Sequence, residues 1–488
     1  MVCKAGYNDA TPRPRASLIM LRISLAGLAL VLVAAPALPA QQPLAAGFAA
    51  VEITPDLKGE KPVYMAGYGM NRRAKGVHDP LYARTVVLAS GEDKIAIVSV
   101  DLVGLQYPEV RAIRAQLPQI KYVLVSSTHN HEGPDVIGIW GRGPFHRGVN
   151  EAYLDFVVER VVASVKQAAD KLLTVTATYG TAADETLLND SRLPIVKDGV
   201  LRIIKLAKAG GSDAAGLLVQ WNCHPESLGS RNLELTADFP WATVAALEKQ
   251  YRCPVVYLSG AVGGLMGLPR GRVFDAQGQE LKFGTFEYAQ KYGEEVAVLA
   301  AKAESAAQPI GLTPFVVSAK PITVPVQNSL YRAARAVGVL KRDGFVWTGD
   351  FQRKGEPITA ENADLPSAIE SEVAYVRLGE LHIACIPGEL YPELVYGKFQ
   401  EPVEPDADFP DAPKEPVVAE LMPGPKWLLL GLANDELGYI IPKRQWDKTP
   451  PYAYNKDGGQ YGEVNSCGSE IAPIIMQALK LRIAAAKP

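Results

Sequence analysis

Residues 122–134 read YVLVSSTHNHEGP. The first five are aromatic, β-branched or small, which predicts a buried strand over 122–126. That strand then discharges Thr128, His129, Asn130, His131 and Glu132 into a Gly133-Pro134 turn. A short apolar strand ending in chemistry-bearing residues is the unit of an α/β sheet, where ligands gather beyond the carboxyl ends of strands. The same form recurs along the chain. GLLVQWNC runs into His224-Pro225-Glu226-Ser227, and PVVYL into Ser259 and the glycine-rich GAVGGLMG. LHIACIPG runs into Glu389, and WLLLGLANDELG into Tyr439.

Between these strands the apolar period changes. Leu154, Val157, Val158, Val161, Val162, Val165 and Ala169 are spaced as one face of a helix over 151–172. Helices are also predicted over 238–251, from 285 to about 306, and over 471–485. Residues 85–89 and 94–100 flank Ser-Gly-Glu-Asp, and residues 372–378 and 381–386 flank Gly379-Glu380; both read as hairpins. The chain is therefore expected to be α/β, with mixed β-sheets flanked by helices in one large catalytic domain. Residues 401–416 (EPVEPDADFPDAPKEP) read as a Pro-rich acidic surface loop of that domain rather than a linker, because a core-like strand follows.

Composition narrows the function. With 48% hydrophobic and 21% charged residues, the 488-residue chain is globular rather than disordered. Its 43 glycines and 37 prolines favour a loop-rich enzyme over a helical bundle, and no repeat period is found. A net charge of −3 gives no reason to expect nucleic-acid binding. Residues 1–40 hold Lys4, Arg13, Arg15 and Arg22 before the apolar ISLAGLALVLVAA and two small-residue exits, the pattern of a secretory signal peptide, with Met20 as an alternative start. The apolar run is too short for a comfortable span of about 20 residues. The expectation is an exported protein, periplasmic or secreted, with no later transmembrane segment. Cys223, Cys253 and Cys385 adjoin apolar runs and read as buried residues; with Cys467 they leave three disulfide pairings open.

His129 and His131 stand two apart, so in extended backbone both imidazoles face one side. Joined by His224 and a carboxylate, they are what zinc uses, with one coordination position left open. Cys223 and His224 are adjacent and face opposite ways on a strand, so only one enters the site, and the histidine is the better candidate. His78, His146 and His382 have no such company.

The succession VHDPLYARTVVL (77–88), IVSVDLVG (97–104), THNHEGP (128–134), WNCHPES (221–227), VGGLMG (262–267), IPGEL (386–390), LGYIIP (437–442) and QYGE (460–463) resembles the neutral/alkaline, non-lysosomal ceramidase family. The resemblance runs from about residue 45 to about residue 480. It implies a Zn2+ hydrolase that cleaves N-acylsphingosine to a fatty acid and a sphingoid base. By matching motifs, it makes His129, His224, Glu389 and Tyr439 the metal ligands. It makes His131 a residue that binds and polarises the scissile amide, and Tyr461 an active-site hydroxyl. Arg192, in LLNDSRLP, matches loosely an active-site arginine. A lipid-like N-acyl substrate follows, with room for peripheral membrane contact.

The sequence also departs from that pattern. The family's proposed serine nucleophile falls on Met266, whose thioether has no proton to lose, and Ser259 is too distant in sequence to stand in. Glu132 replaces a small residue and either handles a proton or simply stands behind the ligands. The chain stops without the C-terminal β-sandwich of larger members, and the 401–416 loop replaces a basic helical segment. A metal-activated water is the nucleophile these features leave. The alternatives are a zinc hydrolase of the same fold acting on another N-acyl amide or ester, and a non-catalytic metal- or ligand-binding relative.

Overall fold

The computed structural model describes residues 42–264 and 266–486; the signal-peptide assignment lies outside them. Two sheets form the middle layers. In the larger, β1 (Leu44–Glu52), β2 (Tyr82–Ser90), β3 (Asp93–Val100) and β4 (Tyr122–Ser127) form one half. β5 (Leu173–Ala183), β6 (Val200–Lys208), β7 (Ala214–Trp221) and β8 (Val255–Ser259) form the other, in the order β8-β7-β6-β5-β1-β2-β3-β4. The short β9 (Gln308–Ile310) pairs with β5. The smaller sheet runs β10 (Phe315–Pro325), β11 (Ser367–Leu378), β12 (Leu381–Cys385), β13 (Trp427–Leu430). Both expected hairpins are present, with Ser90 opposite Asp93 and Leu378 opposite Leu381.

Strand alternation sorts side chains into layers. Tyr122 and Leu124 face the smaller sheet, where Ala374, Val376, Ile383 and Leu428 meet them. Val123 and Val125 point the other way, toward α1 (Tyr107–Ala115) and α2 (Glu151–Ala169), which presents Leu154, Val157, Val161 and Val165. α3 (Phe239–Tyr251) and α4 (Phe286–Ser305) cover the other half of the large sheet. The far face of the small sheet lies under α6 (Ile471–Ala485), while α5 (Ser329–Ala336) stands at the edge of the cavity described below. The result is helices, sheet, sheet, helix. Cys223, Cys253, Cys385 and Cys467 are all buried and free. Among the described residues, no helix is long and apolar enough to cross a membrane.

Within the two large sheets three strand pairs are parallel: β3 with β4 across α1, β7 with β8 across α3, and β12 with β13. Their carboxyl ends meet along one seam. The Gly431 amide donates to Ser259 O at 3.0 Å, Ser127 N to Leu432 O at 3.2 Å, and Asn434 N to Val125 O at 2.7 Å. A Cβ at Gly431 would come within 2.2 Å of Gly260 O, so only glycine permits this approach. Asn434, fully buried at φ 65°, accepts from Val125 N at 3.0 Å and donates to the Tyr122 hydroxyl at 2.9 Å.

Residues 401–416 hold no helix or strand and stay with the main body. Lys414 and Arg444 both pair with Glu401, and the Asp408 carboxylate accepts from the Lys448 and Thr449 amides.

Asn434→Ala removes three side-chain hydrogen bonds and strips the buried Val125 amide of its acceptor, and is expected to cost at least ~1–3 kcal/mol, the penalty for one buried group left unpaired. Chemical denaturation of the purified protein measures it. A loss below 0.5 kcal/mol, on the order of a neutral surface change, contradicts the seam's role.

Candidate metal centre and cavity

The strand ends carry the site. β4 stops at Ser127, and the next residues keep to the turn after β3, with Thr128 N on Val100 O at 2.9 Å and Asn130 N on Leu102 O at 3.1 Å. His129 takes φ 67°, a left-handed conformation that costs an L-residue roughly 1–2 kcal/mol. The two imidazoles converge all the same, with His129 Nε2 and His131 Nε2 3.1 Å apart. The extended-strand argument therefore reaches the observed convergence by the wrong backbone: a strained turn, not a strand, aims the pair. Buried Asn130 holds that turn, donating to Thr236 O at 2.7 Å and accepting from Glu132 N at 3.0 Å. Gly67, at φ +93°, packs on His131 where a Cβ would come within 2.3 Å of the ring.

His224 follows β7, and its amide donates to Met266 O at 2.8 Å. Cys223 packs into the core beneath α3 and α4 while His224 enters the cluster, although both lie beyond the end of β7 at Trp221, where strand alternation no longer governs them. Glu389 and Tyr439 are register partners in a two-residue parallel pair beyond β12 and β13. One Glu389 oxygen, Oε2, lies 3.2 Å from His129 Nε2 and 2.9 Å from His224 Nε2. The Tyr439 ring is 6.4 Å from that of His224 and 6.0 Å from that of Tyr461.

Hydrogen-bond partners set the tautomers. His129 Nδ1 meets Val103 O at 2.8 Å, and His224 Nδ1 meets Met266 O at 3.3 Å. Carbonyls only accept, so both Nδ1 atoms carry hydrogen and both Nε2 lone pairs face inward. His131 Nδ1 stands in ion-pair contact with Glu226 Oε1 at 2.9 Å without hydrogen-bond alignment, and its Nε2 faces inward, 3.1 Å from His129 Nε2. Imidazole nitrogens and a carboxylate converge among largely buried side chains, so the cluster favours positive charge. The electrostatics agree. Burial pushes the His129 imidazole down, but Glu389 outweighs it and holds the group up at about 9. Burial pushes Glu389 up, and the two imidazoles overcome it, holding the carboxyl well below its usual range. Burial and Glu389 raise the Tyr439 phenol far above its ordinary value, so only a cation would draw it in as an anion.

The donor set fits a metal ion. Ligands at about 2.0–2.1 Å in a tetrahedron lie about 3.3 Å apart; here Glu389 Oε2 lies 3.2 Å from His129 Nε2 and 2.9 Å from His224 Nε2. The three histidines could hold a metal ion, their nitrogens lying within 4.8 Å of one another.

A cavity of about 580 Å³ opens over the cluster. His129, His131, Glu226, Glu389, Tyr439 and Tyr461 line it, and Val103, Ile137, Ile139 and Leu340 supply apolar wall. Tyr461 is half exposed, its hydroxyl in contact with the Asn465 side chain.

Among solved structures, this architecture is similar to that of neutral ceramidase from Pseudomonas aeruginosa, with a TM-score of 0.65 over 91% of this chain and 75% of that one, at 16% identity. The fold is the neutral ceramidase fold. A ceramidase complexed with C2 matches over the same shares, with a TM-score of 0.65 at 14% identity. No family model and no curated protein matches the sequence.

The fold defines the surroundings of Arg192, Glu132, Met266 and Ser259. Arg192 does not line the cavity: its guanidinium pairs with Glu463 at 2.7 and 3.0 Å and donates to Tyr461 O at 2.8 Å and Gln445 O at 2.9 Å. It positions the Tyr461 segment. Glu132 is buried against Arg72 at 2.6 Å, and Arg72 in turn donates to His131 O at 3.1 Å, so this carboxylate stands behind the histidines and not in the cavity. Met266 packs its side chain into the core while its carbonyl orients His224. Ser259 is spent on Thr128 O at 2.8 Å. The residue that motif reading passed over is Glu226. Its signal was present, two positions beyond His224, but only the fold brings it to His131.

His78 stacks on Phe286 and pairs with Asp79, His146 contacts Arg142, and His382 meets the Tyr375 hydroxyl at 2.6 Å. None joins the cluster.

Elemental analysis of the purified protein is expected to find one equivalent of divalent metal. Glu389→Ala and His224→Ala should each reduce retention at least tenfold, while Glu132→Gln keeps it. Full occupancy in Glu389→Ala contradicts the assignment.

Proposed function

We propose that this chain is an exported metal-dependent hydrolase of linear N-acyl amides, cleaving N-acylsphingosine to a fatty acid and a sphingoid base by attack of water. The observation that supports it best is the convergence of His129, His224 and Glu389 beside a separate His131–Glu226 pair, all opening on one apolar-walled cavity. The ligands would be His129, His224, Glu389 and Tyr439, with zinc as the ion the resemblance implies. Such an ion, when bound, lowers the pKa of a coordinated water toward about 7 and polarises a carbonyl oxygen.

The protein's own groups supply the rest. His131, held at Nδ1 by Glu226, keeps Nε2 free to take the water's proton as the carbonyl is attacked. Glu226 stabilises the imidazolium, which then returns the proton to the leaving amine nitrogen. Burial raises the Glu226 carboxyl, but His131 outweighs it and holds it down at about 2, so it stays anionic through the cycle. Tyr461 donates to the tetrahedral oxyanion, a contribution of about 2.7–4 kcal/mol for a preorganised donor. Water as nucleophile is consistent with the core placement of Met266. Residues 1–40 serve as the export signal in this reading.

A second use of the same residues has His131 as a third nitrogen ligand, favoured by its 3.1 Å approach to His129. His131→Ala separates the two. With His131 as proton carrier, metal content is unchanged and kcat/KM on N-acylsphingosine falls about 10²–10⁴-fold, the usual worth of general acid–base catalysis. Metal loss in that variant supports ligation. In wild type, fatty-acid release should stop on chelation and return with added zinc; chelator-insensitive turnover overturns the proposal.

A further inference from the structure

Arg332 and Arg335 stand one turn apart on α5, and both line the cavity that holds His129, His131 and Glu389. The other charged side chains on that lining are engaged. Arg342 pairs with Asp435 at 2.7 Å, and Glu226 faces His131. Glu389 lies between His129 and His224, and Glu436 accepts from the Gly438 amide at 2.7 Å. Among the described residues, neither Arg332 nor Arg335 has a carboxylate within ion-pair distance. Arg335 Nη1 itself is sealed against Gly344, where a Cβ would come within 1.7 Å, so the anion-binding face of this side chain is the remainder of its guanidinium.

A cavity-lining guanidinium without a counter-ion is free to pair with an anion. Two neighbouring guanidiniums add mutual repulsion, and burial together with Arg332 lowers the pKa of Arg335. Planar guanidinium forks match carboxylate, phosphate and sulfate oxygens in pairs. The apolar wall of Val103, Ile137, Ile139 and Leu340 belongs to the same cavity and suits an acyl chain.

We propose that the substrate of this site is an acidic N-acyl amide: its acyl chain lies on the apolar wall, and an oxyanion on its amine portion is held by Arg332 and Arg335. This rests on the hydrolase reading and departs from it in the substrate, because N-acylsphingosine carries no such oxyanion: the amide cleaved is one whose amine portion carries a carboxylate, phosphate or sulfate.

The test compares N-lauroylglycine, N-lauroylethanolamine and the phosphate ester of the latter, which share one acyl chain. Wild type should prefer the two acidic amides over the neutral one by tenfold or more in kcat/KM, and the stronger of the two identifies the oxyanion. In R332Q/R335Q that preference should collapse to within threefold of unity, and R332K/R335K should recover part of it. Equal rates on acidic and neutral amides in wild type, or an unchanged preference in R332Q/R335Q, overturn the proposal. A binding measurement separates its failure from that of the hydrolase reading. By calorimetry, n-decyl phosphate should bind wild type at least tenfold more tightly than n-decyltrimethylammonium, with that margin lost in R332Q/R335Q. Arginine-dependent binding of the phosphate without amide turnover upholds the anion site and sinks the hydrolase. Turnover with no arginine-dependent margin does the reverse.

Discussion

A single carboxylate oxygen, Oε2 of Glu389, lies within 3.2 Å of imidazole nitrogens from two different strand ends. His129 and His224 come from the large sheet, and Glu389 from the small one. The contact is therefore both the centre of the site and a bond between layers. Burial opposes charge at His129 and Glu389, and their mutual attraction outweighs it, so the arrangement is completed by one positive charge. Everything else about the cavity follows from where that contact lies.

Its position is fixed by the seam. Three parallel strand pairs end at one edge, and the backbone of residues 431–434 crosses from sheet to sheet through hydrogen bonds to Ser259, Ser127 and Val125. A rigid edge lets short loops aim large side chains with little slack. Thus the Val103 and Met266 carbonyls hold their rings by position, not by chemistry of their own side chains. Catalytic geometry of this kind tolerates displacements of only about half an ångström, which a seam of buried hydrogen bonds can guarantee and a flexible loop cannot.

Much of this was legible in the chain. Buried strands announce themselves through β-branched runs, and β4, β7, β8, β12 and β13 fall within a residue or two of the apolar stretches that predict them. α6 spans the residues its pattern predicts. The site's location was legible because polar residues followed those runs. Other elements were not. β10 carries Lys320 and Pro321 in its middle and is not among the strands that the apolar runs predict; its pairing with β11 defines it. The aim of His129 was illegible, since a left-handed histidine has no sequence signature. Arg192 shows the limit of motif matching: an arginine near a site can serve its wall. The roles of Glu226, Arg332 and Arg335 depend on which partners the fold brings or withholds, and that is a tertiary fact.

The central claim is that His129, His224 and Glu389 share one cation. Crystals grown with zinc, with anomalous data collected at the zinc edge, address it most directly. The account predicts one strong peak within about 2.0–2.2 Å of His129 Nε2, His224 Nε2 and a Glu389 carboxylate oxygen. Zinc bound elsewhere with that position featureless, or a peak that Glu389 does not touch, would contradict it.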